Sequence, residues 1–267
     1  MAPYACPMCC GLIWAVWKRL PGDRMILFRW VHTLLLYTIT LVDTLVCSIL
    51  AIIGGVFNPY SAFNNGVIRI WARIILWVSG VRVEVRGLEN LDRDAVYIFT
   101  ANHKSAYDIL AMVAAIPGTA RFIAKKELFR IPVFSRGMKM SGMLPIDRGN
   151  STEARRTLDQ AVQSIRDGCS VIIFPEGTRS KDDTIRPFKK GGFVLALKGH
   201  IPIVPTVIEG SGYVFPDNSH VVRPGVIRVT FLPPVDTTDK TPEDRHTLIR
   251  DVREQIVSHF DATFNRP

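Results

Sequence analysis

His103 precedes Asp108 by five positions in the stretch Asn102-His103-Lys104-Ser105-Ala106-Tyr107-Asp108. An imidazole with a carboxylate on one ring nitrogen has a fixed tautomer. Its other nitrogen can then take a proton from a hydroxyl, as a general base. On an unbroken helix five positions turn through about 500°, which leaves the two side chains about 140° off a common face. They meet only if His103 lies in a loop and Asp108 sits on the first turn of the next helix. Taken alone, the spacing also describes a surface histidine near an aspartate that starts a helix. A second group handles anions. Phe174-Pro175-Glu176-Gly177-Thr178-Arg179-Ser180 joins a turn rich in backbone N–H groups to a guanidinium, which suits a phosphate or an oxyanion. Asp147-Arg148 offers a second guanidinium, and Lys125-Lys126 two ammonium groups.

All of these residues follow segments that read as strands. VRVEVRG (81–87) alternates with period two, and short apolar runs recur at 95–102, 121–125, 142–147, 170–177, 201–210 and 226–234. Helical patterns fall between them at 106–116, 127–141, 151–167, 188–199 and 241–262. Ser151 or Thr152 offers an N-cap for the third of these, and Gly168 a stop. In the last, Leu248, Val252 and Ile256 recur one turn apart and are expected to pack on the sheet. The expected fold is α/β: a mixed, mostly parallel sheet flanked by helices on both faces. Ligand sites in such sheets lie beyond the strand C-termini, where His103, Lys125, Arg148 and Arg179 are expected.

The composition narrows the function class. The chain has 267 residues with 48% hydrophobic and 21% charged, enough for a large buried core and too apolar for disorder. Its net charge of +9 favours an anionic polymer, an anionic membrane or a phosphorylated substrate. No aromatic-basic interleaving or nucleic-acid motif is present, so nucleic acid is not an expected partner. GxGxxG, GxxxxGK[ST] and GxSxG are also absent, which removes support for nucleotide hydrolysis and for a serine hydrolase. Cys6, Cys9 and Cys10 cluster without a second Cys/His pair at metal-site spacing, and Cys47 and Cys169 read as packing residues.

The N-terminal eighty residues carry six basic and two acidic side chains. From Thr33 to Phe57 run twenty-five residues with one charge, Asp43, long enough for about 30 Å of hydrocarbon as a helix. Asn58-Pro59 makes a turn, and a shorter apolar stretch, Val67 to Val78, follows with Arg69 and Arg73 on one face. Trp71 and Trp77 suit the headgroup boundary. Lys18, Arg19, Arg24 and Arg29 before the run and Arg69 and Arg73 after it both prefer the cytoplasmic side. An apolar helical hairpin that anchors the chain to a membrane is expected, either crossing it or dipping into one leaflet. The division is an extension over 1–24, an anchor over 25–80 and an α/β domain over 81–267.

Four blocks resemble the glycerolipid acyltransferases, the lysophosphatidic acid acyltransferase family. NHKSAYD (102–108) is similar to that family's NHxxxxD block, and FPEGTRS (174–180) to its Glu-Gly-Thr-Arg block. GMLPIDR (142–148) resembles the block between them, with Pro145 where an aromatic residue is usual, and IPIVPTVI (201–208) resembles the apolar strand with a central proline. The four occur in family order over roughly residues 80–235. The resemblance implies transfer of a fatty acyl group from acyl-CoA or acyl-carrier protein to a lysophospholipid hydroxyl. The leading expectation is 1-acylglycerol-3-phosphate as acceptor and phosphatidic acid as product. It implies His103 as general base, Asp108 as its orienting partner, and Arg148 and Arg179 on the acceptor phosphate. Glu176, Gly177 and Thr178 would shape the glycerol pocket, and Lys125 would contact phosphate or acyl donor. The oxyanion would be met by a backbone N–H near Gly177 or in the loop after His103. No metal or bound cofactor is called for; the acyl donor is a co-substrate. Other lysolipids or glycerol-3-phosphate as acceptor, and a non-catalytic membrane lipid-binding protein, are the alternatives. A binding-only relative is expected to lose His103 or Asp108, and this chain keeps both.

Overall fold

The computed structural model describes residues 22–147, 149–180, 182 and 184–264. The cluster Cys6, Cys9 and Cys10, nearly all of the 1–24 extension, and Arg148 lie outside the described residues.

Two helices open the fold, α1 (Gly22–Phe57) and α2 (Ala62–Val78). The turn between them is set by Pro59 and by Ser61, whose Oγ accepts the Asn64 N–H at 3.2 Å and caps α2. Residues Arg29–Phe57 of α1 are long and apolar enough to cross a membrane. Leu41 is 72% exposed and Phe57 87%, so α1 presents an apolar surface that the other described residues leave uncovered. The hairpin is bound firmly to the sheet. Arg121, 3% exposed, donates to the carbonyls of Pro59 in the hairpin turn, of Ser141 and of Ala120. Two details differ from the sequence expectation. Trp71 faces inward, its Nε1 donating to Thr44 Oγ1 at 3.0 Å, while Trp77 stays exposed. Arg69 turns to the carbonyls of Ile116 and Gly118, at 3.2 and 2.5 Å, and so caps the end of a domain helix.

The domain elements follow: β1 (Val81–Arg86), β2 (Ile98–Ala101), α3 (Tyr107–Ala115), β3 (Ala120–Lys125), α4 (Phe134–Met140), β4 (Leu144–Ile146), α5 (Ser151–Arg166), β5 (Ser170–Ile173), α6 (Gly191–Gly199), β6 (Ile203–Glu209), α7 (Ser211–Val214), β7 (Gly225–Phe231) and α8 (Arg245–His259). The seven strands form one sheet in the order β1-β7-β6-β2-β5-β3-β4. Every neighbouring pair is parallel except β6 and β7. The C-terminal ends of β2, β3, β4, β5 and β6 therefore share one edge.

The period-two alternation divides the strands between two cores. Phe99, Ile172 and Ile227 join α2 and α3 through Ala72, Leu110 and Met112. Ile98, Val171 and Ile203 face the opposite way, onto Ala161 of α5, Phe193 of α6 and Val252 of α8. Leu248, Val252 and Ile256 are all buried as their spacing required, each contributing about 1.5–3 kcal/mol.

Two element boundaries correct the sequence reading. The 127–141 pattern is not one helix: a 3-10 turn, Lys126–Arg130, is followed by a break and then α4. Pro132 has no N–H to continue a helix. Val133 takes φ 63° and ψ −57°, and the Phe134 N–H bonds the Pro132 carbonyl at 2.7 Å, which closes a γ-turn. The cap of α5 is Asn150 rather than Ser151 or Thr152. Its Oδ1 accepts the N–H groups of Thr152 and Glu153 at 3.0 and 3.2 Å.

Candidate active site

The site begins where β2 ends. Asn102, fully buried, carries the strand one step further with its side chain. Its Nδ2 donates to the Ile208 carbonyl and its Oδ1 accepts the Ile208 N–H, both at 2.8 Å. This two-way bond to β6 fixes the point at which the chain leaves the sheet, so that His103 lies in a loop and Asp108 on the first turn of α3.

Asp108 is fully buried, and its Oδ2 accepts three bonds. They come from His103 Nδ1 at 2.8 Å and from the backbone N–H groups of Lys104 at 2.7 Å and Ser105 at 2.8 Å. A carboxylate so placed only accepts, so the proton of the neutral imidazole sits on Nδ1. Nε2 is then the basic nitrogen, on a side chain 15% exposed. The ring is fixed on its face as well. It stacks on Phe174 with centroids 4.1 Å apart and planes 15° apart, and Phe122 backs Phe174 at 6.0 Å.

The main chain of His103 is tied to the loop after β5. Its N–H donates to Glu176 Oε1 at 2.7 Å, and its carbonyl accepts the Ser180 N–H at 2.8 Å. The other oxygen of Glu176 accepts Ser180 Oγ at 2.5 Å and the Arg186 N–H at 2.9 Å. Glu176 is 4% exposed, and both of its oxygens are engaged within the chain. It does not line the cavity, whereas Gly177, Thr178 and Arg179 do. Gly177 needs the freedom of glycine: its φ is +76°, and a Cβ there would lie 2.7 Å from Lys189 Nζ.

The cavity holds about 610 Å³, within the range of sites that enclose a small organic ligand. His103, Lys125 and Arg179 supply its polar wall. Ile109, Val113 and Met138 are among its apolar walls, and Thr44, Cys47, Ser48 and Ala51 of α1 complete it. Helix α1 is thus part of the chamber. Lys125 is 57% exposed and lies 3.7 Å from Glu127. Lys126 bonds Asp147, which together with the Gly149 N–H holds that carboxyl below its usual range. Arg179 is not free: its Nε meets Asp217 Oδ1, in the loop beyond α7, at 2.9 Å.

The two expected sources of oxyanion donors are occupied. The N–H groups of Lys104 and Ser105 are taken by Asp108, and that of Gly177 by the Phe174 carbonyl at 3.0 Å. The N–H groups of Thr178 and Arg179 meet no acceptor among the described residues.

The sequence reading named His103, Asp108, Gly177, Thr178, Arg179 and Lys125, and the structure brings them together around or immediately behind one cavity. It did not name Asn102, Phe174 or Asp217. The first two sit inside blocks that were recognised, so a signal for them was present. Asp217 carries none, because its pairing with Arg179 spans 38 positions.

Comparison with known proteins follows the same lines. The family model described as Acyltransferase matches residues 82–209. A 1-acyl-sn-glycerol-3-phosphate acyltransferase of Limnanthes douglasii is 32% identical over 208 residues, covering 77% of this chain and 73% of the relative. The human 1-acyl-sn-glycerol-3-phosphate acyltransferase alpha is 32% identical over 198 residues, covering 74% and 70%. Among solved structures, the 1-acyl-sn-glycerophosphate acyltransferase PlsC of Thermotoga maritima aligns with a TM-score of 0.74 at 23% identity, covering 90% of this chain and 99% of that one. That structure shares the fold described above.

Proposed function

The chain belongs to the acyltransferase family, and from that premise we propose that it acylates the sn-2 hydroxyl of 1-acylglycerol-3-phosphate to give phosphatidic acid. The donor is a fatty acyl thioester, acyl-CoA or acyl-carrier protein. One observation supports the reading above all. A histidine whose Nδ1 is held by a buried carboxylate faces a largely apolar chamber that also holds a guanidinium.

Nε2 of His103 takes the proton of the acceptor hydroxyl as its oxygen attacks the thioester carbonyl, and a carbon–oxygen bond forms. Asp108 stabilises the imidazolium that results. The tetrahedral oxyanion is met by the free N–H groups of Thr178 and Arg179. Collapse breaks the carbon–sulfur bond, and the imidazolium returns its proton to the departing thiolate. The thioester is already activated, so no covalent acyl-enzyme is needed.

Arg179, with Arg148 and Lys125 as further cations, binds the acceptor phosphate. Glu176 acts behind them, by holding His103 and the 177–180 loop in register. The apolar walls take the acyl chain. Extracting such a chain from a bilayer costs about 0.8 kcal/mol per CH₂, so a chamber built partly from an embedded helix removes much of that cost. The catalytic domain is placed on the cytoplasmic face, where the basic flanks of the apolar run belong.

The test compares wild type with His103→Ala in acyl transfer to lysophosphatidic acid and a panel of other lysolipids, with both donor types. A fall of about 10²–10⁴-fold in turnover with lipid binding intact is expected. Unchanged turnover in the variant would overturn the mechanism, and turnover confined to another lysolipid would reassign the acceptor.

A further inference from the structure

The segment from Lys126 to Met140 lies beside α1, and its contacts there are close. A Cβ on Gly137 of α4 would lie 3.0 Å from Ser48 Cα of α1, and a Cβ on Gly55 of α1 would lie 2.1 Å from the Met140 carbonyl oxygen. The two helices therefore touch backbone to backbone. The loop leading into α4 is joined rigidly to it, since the Ile131 carbonyl accepts the Ser135 N–H and the Val133 carbonyl that of Gly137, each at 2.9 Å.

This loop is apolar outside. Leu128, Ile131 and Val133 are all exposed, Ile131 most at 47%. The γ-turn at Val133 holds a β-branched side chain in the left-handed region, a conformation that such residues rarely adopt. The same segment carries Arg130, Arg136 and Lys139, all exposed and none with a carboxylate partner among the described residues. Exposed apolar side chains and unpaired cations within one short segment match an anionic leaflet, with hydrocarbon for the first and headgroups for the second.

The geometry points to a second membrane contact. Leu128, Ile131 and Val133 enter the leaflet beside α1, and Arg130, Arg136 and Lys139 bind anionic phospholipid headgroups. The occupant of this surface is the bilayer in which α1 sits, so the inference rests on the reading of α1 as embedded. It does not depend on which lysolipid is the acceptor. Its consequence for the reaction is local. Leu128 and Phe134, from the same segment, line the chamber, so the chamber wall and the lipid-contacting loop are one element.

The test uses the full chain in nanodiscs of phosphatidylcholine with phosphatidylserine. An environment-sensitive fluorescent amino acid is placed singly at Leu45 on α1, at Ile131, or at Val257, an exposed apolar position on α8. Lipids spin-labelled along the acyl chain are the quenchers. Quenching at 45 and 131 but not at 257 is expected, with the signal at 131 falling when phosphatidylserine is withdrawn or in Arg130→Gln/Arg136→Gln. Quenching at 45 alone overturns the second contact. Quenching at neither overturns the embedded reading of α1, and the second contact with it. A functional arm uses Ile131→Asp/Val133→Asp, residues that do not line the chamber. Turnover should fall about tenfold with lysolipid in vesicles and stay within about twofold in mixed micelles. Equal loss in both would mark a folding defect and count against the proposal.

Discussion

Glu176 holds His103 by its backbone: the His103 N–H donates to Glu176 Oε1 at 2.7 Å, while the same carboxylate binds Ser180 and Arg186 through its other oxygen. His103 and the loop after β5 therefore share one buried clasp. Glu176→Gln replaces an acceptor with a donor that must oppose at least one of three existing donors. About 1–3 kcal/mol of stability should be lost in denaturation, with kcat falling more than KM rises. A variant of wild-type stability and kcat would show that the clasp is dispensable.

Asp108→Asn keeps the shape of the site but removes its charge. The amide oxygen would take the place of Oδ2, where the N–H groups of Lys104 and Ser105 and His103 Nδ1 all meet it, and the NH₂ would take the place of Oδ1. The tautomer of His103 is kept, but the imidazolium formed in the reaction loses its counter-charge. A fall of about 10²–10⁴-fold in kcat is expected with little change in acceptor affinity. Steady-state kinetics with both substrates varied will read it.

Asp217 holds Arg179 at the wall of the chamber, its Oδ1 2.9 Å from Nε. Asp217→Ala releases a half-exposed side chain to wander. KM for the phosphate-bearing acceptor should rise about 3–10-fold with kcat nearly unchanged. Turnover of an acceptor without the phosphate, if measurable, should not respond.

Ala51 is 4% exposed and lines the chamber from α1. Ala51→Phe fills part of that space, so competition between acyl donors of different length should shift toward the shorter chains. An unchanged chain-length profile would place the acyl chain elsewhere.

Cys169 is fully buried beside β5, and burial pushes its thiol from the usual 9.0 up to about 11. Folding thus favours the protonated thiol. The stability this contributes is complete below pH 9.0 and is lost as pH rises through about 11. Denaturation midpoints should fall across that window, less so in Cys169→Ala. Iodoacetamide should spare Cys169 in the folded protein at neutral pH, as read by peptide mass spectrometry.

Much of this was legible in the sequence because it depends on local pattern. One run of period-two alternation and six short apolar runs located all seven strands, and His103 and Asp108 lie five positions apart. Arrangements joining distant segments were not legible. Arg121 looks like any strand-edge cation until the hairpin turn brings the Pro59 carbonyl to it across 62 positions. Glu176 reads as a pocket residue because its block sits beside the site, and only the fold shows its oxygens consumed by His103, Ser180 and Arg186. Trp71 has the composition of a headgroup anchor, yet the crossing of α1 and α2 gives its indole N–H a partner in Thr44. The break at Pro132 was available to read, but the apolar spacing on either side of it masked the interruption.

Four residues of α1 form part of the chamber wall, and this bears on how the protein can be handled. Cutting away the hairpin to gain solubility would leave His103 and Asp108 with no closed compartment, however well the sheet folded. Alkyl detergents resemble the fatty acyl chains proposed for the chamber, so the medium that keeps this protein in solution would also compete for its interior.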